Sequence, residues 1–230
     1  MSRRKVVILT GAGISAESGI KTFRDSGGLW ENHRIEDVAS PEGWQRNPKL
    51  VLDFYNQRRR QLLQAQPNRA HLALAELEKK FDVTIVTQNV DDLHERGGST
   101  KIIHLHGELL KARSEQNESL VVDCVNDILL GHKAPDGAQL RPHIVWFGEP
   151  VPEIENAVPH VKEADIFVVI GTSLAVYPAA GLIHYTTYES EKWLIDPNEM
   201  PLPRIPNLKF INEKATVGVE FLVNRLLSDD

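Results

Sequence analysis

KVVILTGAGISAESG, residues 5–19, is the stretch from which the fold can be read. Val6, Val7, Ile8 and Leu9 form an unbroken apolar run with no polar alternation. Such a run suits a strand buried on both faces, and strands of that kind belong to parallel sheets. Gly11-Ala12-Gly13-Ile14-Ser15-Ala16 follows directly and fits G-x-G-x-x-A where a strand turns into a helix. Glycines there permit a tight turn and a close backbone approach to a pyrophosphate at the helix N-terminus. A glycine-rich turn without a ligand is the competing reading.

Similar runs recur downstream: Val83–Thr87, Lys101–Leu105, His143–Phe147, Asp165–Gly171, Trp193–Ile195 and Leu208–Ile211. Helical patterns lie between them. Pro48 to Gln64 carries Leu50, Val51, Phe54 and Leu62, and Arg69 to Lys80 follows Asn68, a suitable N-cap. Val158–Ala164, Ala179–Tyr188 and Val217–Leu227 also read as helices. Alternating strands and helices predict an α/β fold with a doubly wound parallel sheet. Two stretches break the rhythm, residues 22–68 and the polar, irregular 112–142. They are read as one small inserted module, leaving a core of about 1–21, 69–111 and 143–230 within a single catalytic domain of 1–230.

The composition narrows the functional classes. The chain has 230 residues, 41% hydrophobic and 25% charged, which is ordinary for a globular protein. With 26 Lys and Arg against 32 Asp and Glu, its formal charge is −6. That gives no global attraction to nucleic acid or an anionic membrane. No stretch approaches the roughly 20 apolar residues of a membrane span. A single cysteine, Cys124, excludes an internal disulfide and a cysteine-rich zinc site, and a reducing cytoplasm is the expected compartment.

Further motifs carry chemistry. The loop Thr22-Phe23-Arg24, running to Trp30, stands where a dinucleotide fold expects a second strand, and it suits a cover over a ligand. Gln88, Asn89 and Asp91 follow the run Val83–Thr87, at the end of a parallel strand that faces the ligand crevice. Their amides and carboxylate suit ribose hydroxyls or a carboxamide, and they equally suit a helix cap. His104 and His106 share one face of a strand. A general base, a metal-ligand pair and two packed histidines are all open on spacing alone.

GAGISAESGIKTFR, TQNVDDLH, HLHGEL, RPHIVWFGE and VVIGTSLAVYPAA, in this order, resemble the sirtuins, from about Val6 to Leu227. The resemblance implies a Rossmann-like domain with a small inserted module and an NAD-dependent protein lysine deacylase. Such an enzyme takes acylated-lysine proteins as substrates, with NAD as co-substrate, and yields nicotinamide and O-acyl-ADP-ribose. It implies that Gly11, Ala12, Gly13, Ser15 and Ala16 form the NAD-binding turn. Thr22, Phe23 and Arg24, with Trp30, form the cofactor loop. Gln88, Asn89 and Asp91 contact ribose and nicotinamide, with Asn89 and Asp91 also catalytic, and His106 is the base. Gly171, Thr172 and Ser173 contact the adenosine side, and Asp196, Asn198 and Ala215 close over the adenine, with Asp196 where the family usually has Asn. Val145, Phe147, Gly148 and Glu149 pair with the substrate backbone by strand addition. Tyr55 and Arg58, three apart on one helix face, resemble the acyl-pocket signature of sirtuins that prefer acidic acyl groups, which implies desuccinylase or demalonylase activity beside deacetylase. A solvated basic face over Arg58, Arg59 and Arg60 is the alternative. Most sirtuins hold a structural zinc by four cysteines between the HG and FGE motifs. Here Gly107 to Phe147 contains only Cys124, with Ser114 near the first expected position, so no metal is expected. Packing of Leu120, Val121, Val122, Ile128, Leu129 and Leu130 is then expected to hold the module. Rival functions are a protein ADP-ribosyltransferase, a non-catalytic NAD or ADP-ribose sensor, and a metal-dependent hydrolase using His104 and His106.

Overall fold

The computed structural model describes residues 3–21, 29, 30, 32–198 and 205–228. In chain order its strands are β1 (Lys5–Thr10), β2 (Leu29–Trp30), β3 (His33–Arg34), β4 (Asp82–Thr87), β5 (Ile102–His104), β6 (Gly107–Ser114), β7 (Val121–Asp123), β8 (Leu140–Ile144), β9 (Ile166–Ile170), β10 (Glu191–Ile195) and β11 (Leu208–Ile211). Its α-helices are α1 (Ile35–Val38), α2 (Pro41–Arg46), α3 (Pro48–Gln64), α4 (Arg69–Glu76), α5 (Leu93–Arg96), α6 (Glu153–Lys162) and α7 (Ala215–Ser228). None of the described helices is long and apolar enough to cross a membrane.

Six strands form one parallel sheet in the order β5-β4-β1-β9-β10-β11. Counted along the chain this is the doubly wound order 3-2-1-4-5-6, which reverses between β1 and β9. The apolar runs are continuous because both faces are covered. Val6 and Ile8 pack with Leu74 of α4 and Val219 and Leu222 of α7. Val7 and Leu9 point the other way, to Ala157 and Val161 of α6 and to Leu182. Leu182 lies in a 3₁₀ segment, Ala179–Tyr185, rather than the α-helix expected over Ala179–Tyr188.

A second core joins α2 and α3 to an antiparallel sheet, β7-β6-β8. The run His143–Phe147 ends here and not in the parallel sheet, since β8 pairs with β6. An apolar run reports burial but cannot say which sheet supplies it. This sheet begins at Gly107, where the chain leaves β5. Gly107 has φ +83°, and a Cβ there would meet the His143 carbonyl oxygen at 2.1 Å, so only glycine fits. Helix α3 starts with Asn47 accepting from the Leu50 amide and Pro48 in the first turn. Its buried face, Val51, Tyr55, Arg59 and Leu62, follows the helical repeat. The Asn68 cap of α4 forms as expected, accepting from the Ala70 amide.

Candidate active site

The parallel register puts Thr10, Thr87, His104, Ile170 and Ile195 in one row of strand ends. The residues that follow them, from Gly11, Gln88, Leu105, Gly171 and Asp196 onward, therefore emerge along one edge of the sheet. Motifs up to 185 residues apart in the chain are gathered there by strand pairing alone. The Gly11–Ala16 turn does not open an α-helix. It continues as two 3₁₀ turns, Ala12–Ile14 and Ala16–Ser18, ended by Gly19 at φ +86°. The reason is the contact with β9: the Gly11 amide donates to the Ile170 carbonyl and the Gly13 amide to that of Gly171, both at 2.9 Å. A Cβ on Gly13 would lie 2.6 Å from the Gly171 Cα. These glycines thus close the backbone of one strand end onto another.

Ser15 is the meeting point of two motifs. Its hydroxyl donates to Asp91 Oδ2 at 2.9 Å and accepts from Asn89 Nδ2 at 3.1 Å. Asp91 Oδ1 also accepts from the Leu93 amide two residues on, in the turn that leads into α5. The N-cap of α5 is Asp92, whose side chain makes no capping bond, so Asp91 stands one residue before the cap expected of it. Burial raises its pKa to about 6 against the Ser15 and Leu93 hydrogen bonds that lower it. Beneath it, Thr87 Oγ1 accepts from the Asn89 amide and from Thr10 Oγ1, which contacts His94 Nε2 at 3.1 Å. Gln88 turns its side chain toward the Thr10 carbonyl. His106 Nδ1 donates to the Gln88 carbonyl at 3.0 Å. A carbonyl only accepts, so Nδ1 carries the proton and Nε2 is the basic nitrogen. Burial holds the His106 pKa below its usual value. The site therefore offers a neutral imidazole base beside a buried acid and an oriented amide.

Thr172 is buried and Ser173 exposed beyond β9. Asp196 Oδ1 accepts from the amide and side chain of Asn198, and Ala215, the first residue of α7, shares a core with Ile195. Thr22, Phe23 and Arg24 lie outside the described residues. Trp30 packs edge-on to Phe54 and Tyr55, with ring centroids 4.8 and 6.2 Å apart. A cleft lined by Trp30, Tyr55, Arg58, Leu62, Val90 and Asp91 joins this aromatic group to the buried acid. The Arg58 guanidinium sits 4.0 Å over the Phe54 ring and 5.7 Å from that of Trp30. The three consecutive arginines diverge: Arg58 lines the cleft, Arg59 is fully buried and Arg60 pairs on the surface with Asp127. Val145 and Phe147 spend their amides on the His106 and Ala39 carbonyls, and the segment to Gly148 stays outside any strand. Glu149 turns inward to Arg113 and Arg141. Arg141 stacks 3.3 Å over Trp146, whose Nε1 donates to the Tyr55 hydroxyl at 3.1 Å.

A family model described as the Sir2 family matches residues 11–178. The chain belongs to the Sir2 family. A Bacteroides thetaiotaomicron protein named NAD-dependent protein deacylase is 55% identical over 230 residues, covering 97% of this chain and 98% of its own. Among solved structures, a Sir2 homolog–NAD complex is 39% identical with a TM-score of 0.86, covering 98% of this chain and 90% of that one. A Sir2 bound to acetylated peptide is 31% identical with a TM-score of 0.81, covering 97% and 93%.

Against the four-cysteine pattern of most sirtuins, this member of the Sir2 family has a different staple. Among the described residues, no three or more His, Cys, Asp and Glu side chains are grouped to hold a metal ion. Ser114 Oγ donates to Asp136 Oδ2 at 2.6 Å and accepts from the Gln116 and Asn117 amides. Asn56 grips both the amide and the carbonyl of Ile128, and Arg59 donates to Asn56 and to the Leu109 carbonyl. The expected packing set is only partly right. Ile128 is buried, but Val121, Leu129 and Leu130 are exposed. A thin sheet covered on one side by α3 has too little interior to bury them all. Asn56, Arg59, Trp146 and the Thr10–Thr87–His94 group escaped the sequence reading. Nothing local marks a polar residue as buried, apart from Asn56 and Arg59 falling on the apolar face of α3.

Proposed function

We infer that the chain removes acyl groups from protein lysines with NAD as co-substrate. The observation that carries this is the meeting of Ser15, Asn89 and Asp91 beside His106 past the ends of β1, β4 and β5. The donor set fits a nucleotide carrying a carboxamide. It combines hydroxyls, an amide, a buried carboxylate and a glycine turn seated on the end of β9. When bound, NAD supplies the activated bond to nicotinamide whose cleavage drives acyl transfer to ADP-ribose.

The roles of this chain's own residues follow from their chemistry. Asp91 accepts the carboxamide hydrogens at its Oδ atoms. Asn89 orients a hydroxyl or water, its own amide fixed by Ser15. His106 Nε2 takes the proton from the attacking hydroxyl, with its ring aimed by the Gln88 carbonyl. Gly11–Ala16, Gly171–Ser173, Asp196, Asn198 and Ala215 form the nucleotide wall. Phe23 shields the reacting face. Val145, Phe147 and Gly148 receive the peptide, and Glu149 sets their position through Arg141.

The acyl group belongs in the cleft of Tyr55 and Arg58, and we propose succinyl- and malonyl-lysine beside acetyl-lysine as substrates. Support comes from an arginine held against aromatic rings at the wall of a cleft whose lining also includes Ile20, Leu62, Val90 and Leu109. A carboxylate there is desolvated and calls for a cationic partner. One cysteine in the chain accords with a reducing cytoplasm as its place of work. The test is turnover of one peptide carrying acetyl-, malonyl- or succinyl-lysine, with and without NAD. Release of nicotinamide and free lysine together supports deacylation. Nicotinamide release with ADP-ribose attached to the target, seen by mass spectrometry, would point to an ADP-ribosyltransferase instead.

A further inference from the structure

His104 and His106 grip successive carbonyls of one loop. His106 Nδ1 contacts the Gln88 carbonyl at 3.0 Å, and His104 Nδ1 contacts that of Asn89 at 3.3 Å. The loop between them is the one that carries Asn89 and Asp91. The second nitrogens differ. His104 Nε2 meets Glu95 Oε1 of α5 at 2.7 Å. Both partners of His104, a peptide carbonyl and a carboxylate, have no hydrogen to give. Satisfying both requires a hydrogen on each ring nitrogen, which makes His104 an imidazolium. His106 has one such partner and needs only one hydrogen.

We propose that His104, kept charged by Glu95, is a positioning residue that holds the Asn89–Asp91 loop in its working shape, and that its deprotonation sets the alkaline limit of turnover. The proposal rests on His106 being the base and on Asn89 and Asp91 facing the substrates. Neutral His104 would keep its stronger bond to Glu95 and turn a bare Nδ1 lone pair toward the Asn89 carbonyl. The grip would become a repulsion.

The surroundings agree in direction. Glu95 and His94 face His104 from α5, Asp91 from the loop and Glu108 from β6, while Lys111 pairs with Glu108 and acts on Glu95. Three of the four groups facing His104 are acids, and His94 is held neutral by burial. Burial alone would lower the His104 pKa, but the hydrogen bond and charge of Glu95 outweigh it and hold the value above 6.5. His106 has only the Gln88 carbonyl against burial and sits below 6.5. Two histidines two residues apart are thus driven in opposite directions from the usual value, one as base and one as fixed cation. The base must be deprotonated, the Asp91 carboxyl ionised and the cation protonated, so turnover rises as pH passes the His106 and Asp91 values and falls as it passes that of His104.

The experiment is the pH profile of kcat for nicotinamide release, with saturating NAD and an acetyl-lysine peptide. Glu95→Gln replaces a charged acceptor by a neutral one and should move the alkaline limb about one pH unit toward acid. His104→Gln has nothing to titrate. It should abolish that limb, lower kcat at the optimum roughly tenfold and leave the acid limb in place. A residue that only stabilises the fold would lower activity at every pH without moving a limb, and alkaline limbs unchanged in both variants overturn the proposal. Long-range proton–nitrogen spectra of the wild-type protein give an arm that needs no variant. His104 should show two protonated nitrogens on the acid side of the alkaline limb, and a neutral ring there overturns the proposal. Near-normal turnover in His106→Ala would instead strike the assignment of the base.

Discussion

The Asp91 carboxyl is 5% exposed, and burial carries its pKa from 3.8 to about 6. At pH 8 it is ionised in both the folded and unfolded chain, but the folded chain holds the charge at a cost. The gap between 3.8 and about 6, at 1.36 kcal/mol per decade, corresponds to about 3 kcal/mol. Asparagine has the same shape and no charge. Its Oδ1 can still accept from the Leu93 amide, while its Nδ2 now faces Ser15 Oγ, so that hydroxyl must turn away, at about 1 kcal/mol. Asp91→Asn is therefore expected to gain about 2 kcal/mol at pH 8, or roughly 4–8 °C in Tm for a chain of this size. The sign with pH follows from the raised folded value. The penalty on the wild type is absent below 3.8, grows between 3.8 and about 6, and is complete above. The advantage of the variant should shrink accordingly between pH 8 and pH 5 in calorimetric unfolding scans. The same variant should lose nicotinamide release, because the ionised acceptor for the carboxamide is gone. A variant less stable than wild type at pH 8, or a difference that does not vary with pH, would refute the reasoning.

Arg58→Met should lose about ten- to a hundred-fold in kcat/KM for succinyl-lysine peptide and largely keep deacetylation, the worth of one charge-assisted hydrogen bond. Equal losses on both peptides would make the arginine structural. Tyr55→Phe should weaken desuccinylation more mildly but also lower thermal stability, since it leaves the buried Trp146 Nε1 without its acceptor. His106→Ala should lose about 10²–10⁴-fold in kcat while NAD binding by calorimetry survives. Gly13→Ala should unfold the protein or cost about 3 kcal/mol or more, because its Cβ meets Gly171 backbone. Gly19→Ala, with nothing within 4 Å but φ +86°, should cost only about 1–2 kcal/mol in denaturant titration. Elemental analysis of the purified protein should show no tightly held zinc. About one chelator-resistant zinc per chain would mean a ligand set unlike any grouped in the structure.

The parallel sheet was legible because continuous apolar runs such as Val6–Leu9 and Ile166–Ile170 report burial on both faces, a property each segment carries within itself. The family motifs were legible for the same reason. Gly-x-Gly, Gln-Asn-x-Asp and His-Gly are short strings whose chemistry needs neighbours in the chain. A count of one cysteine sufficed to exclude a four-cysteine zinc site. The sequence did not say what stands in its place. Ser114 with Asp136, and Asn56 and Arg59 with Ile128 and Leu109, are partners up to 72 residues apart. The turn after β1 was misread as the start of an α-helix because its amides answer to carbonyls at the end of β9, 158 and 159 residues away. His143–Phe147 was misplaced because apolarity records that a segment is covered and not what covers it. The sharpest case is Arg58-Arg59-Arg60, one residue type repeated three times with three fates: cleft wall, buried bracket and surface ion pair. Helical geometry points successive side chains about 100° apart, so the triplet had to diverge. Which direction faced the cleft, the core or water was set by the strands and loops packed on α3, and only the tertiary structure decided that.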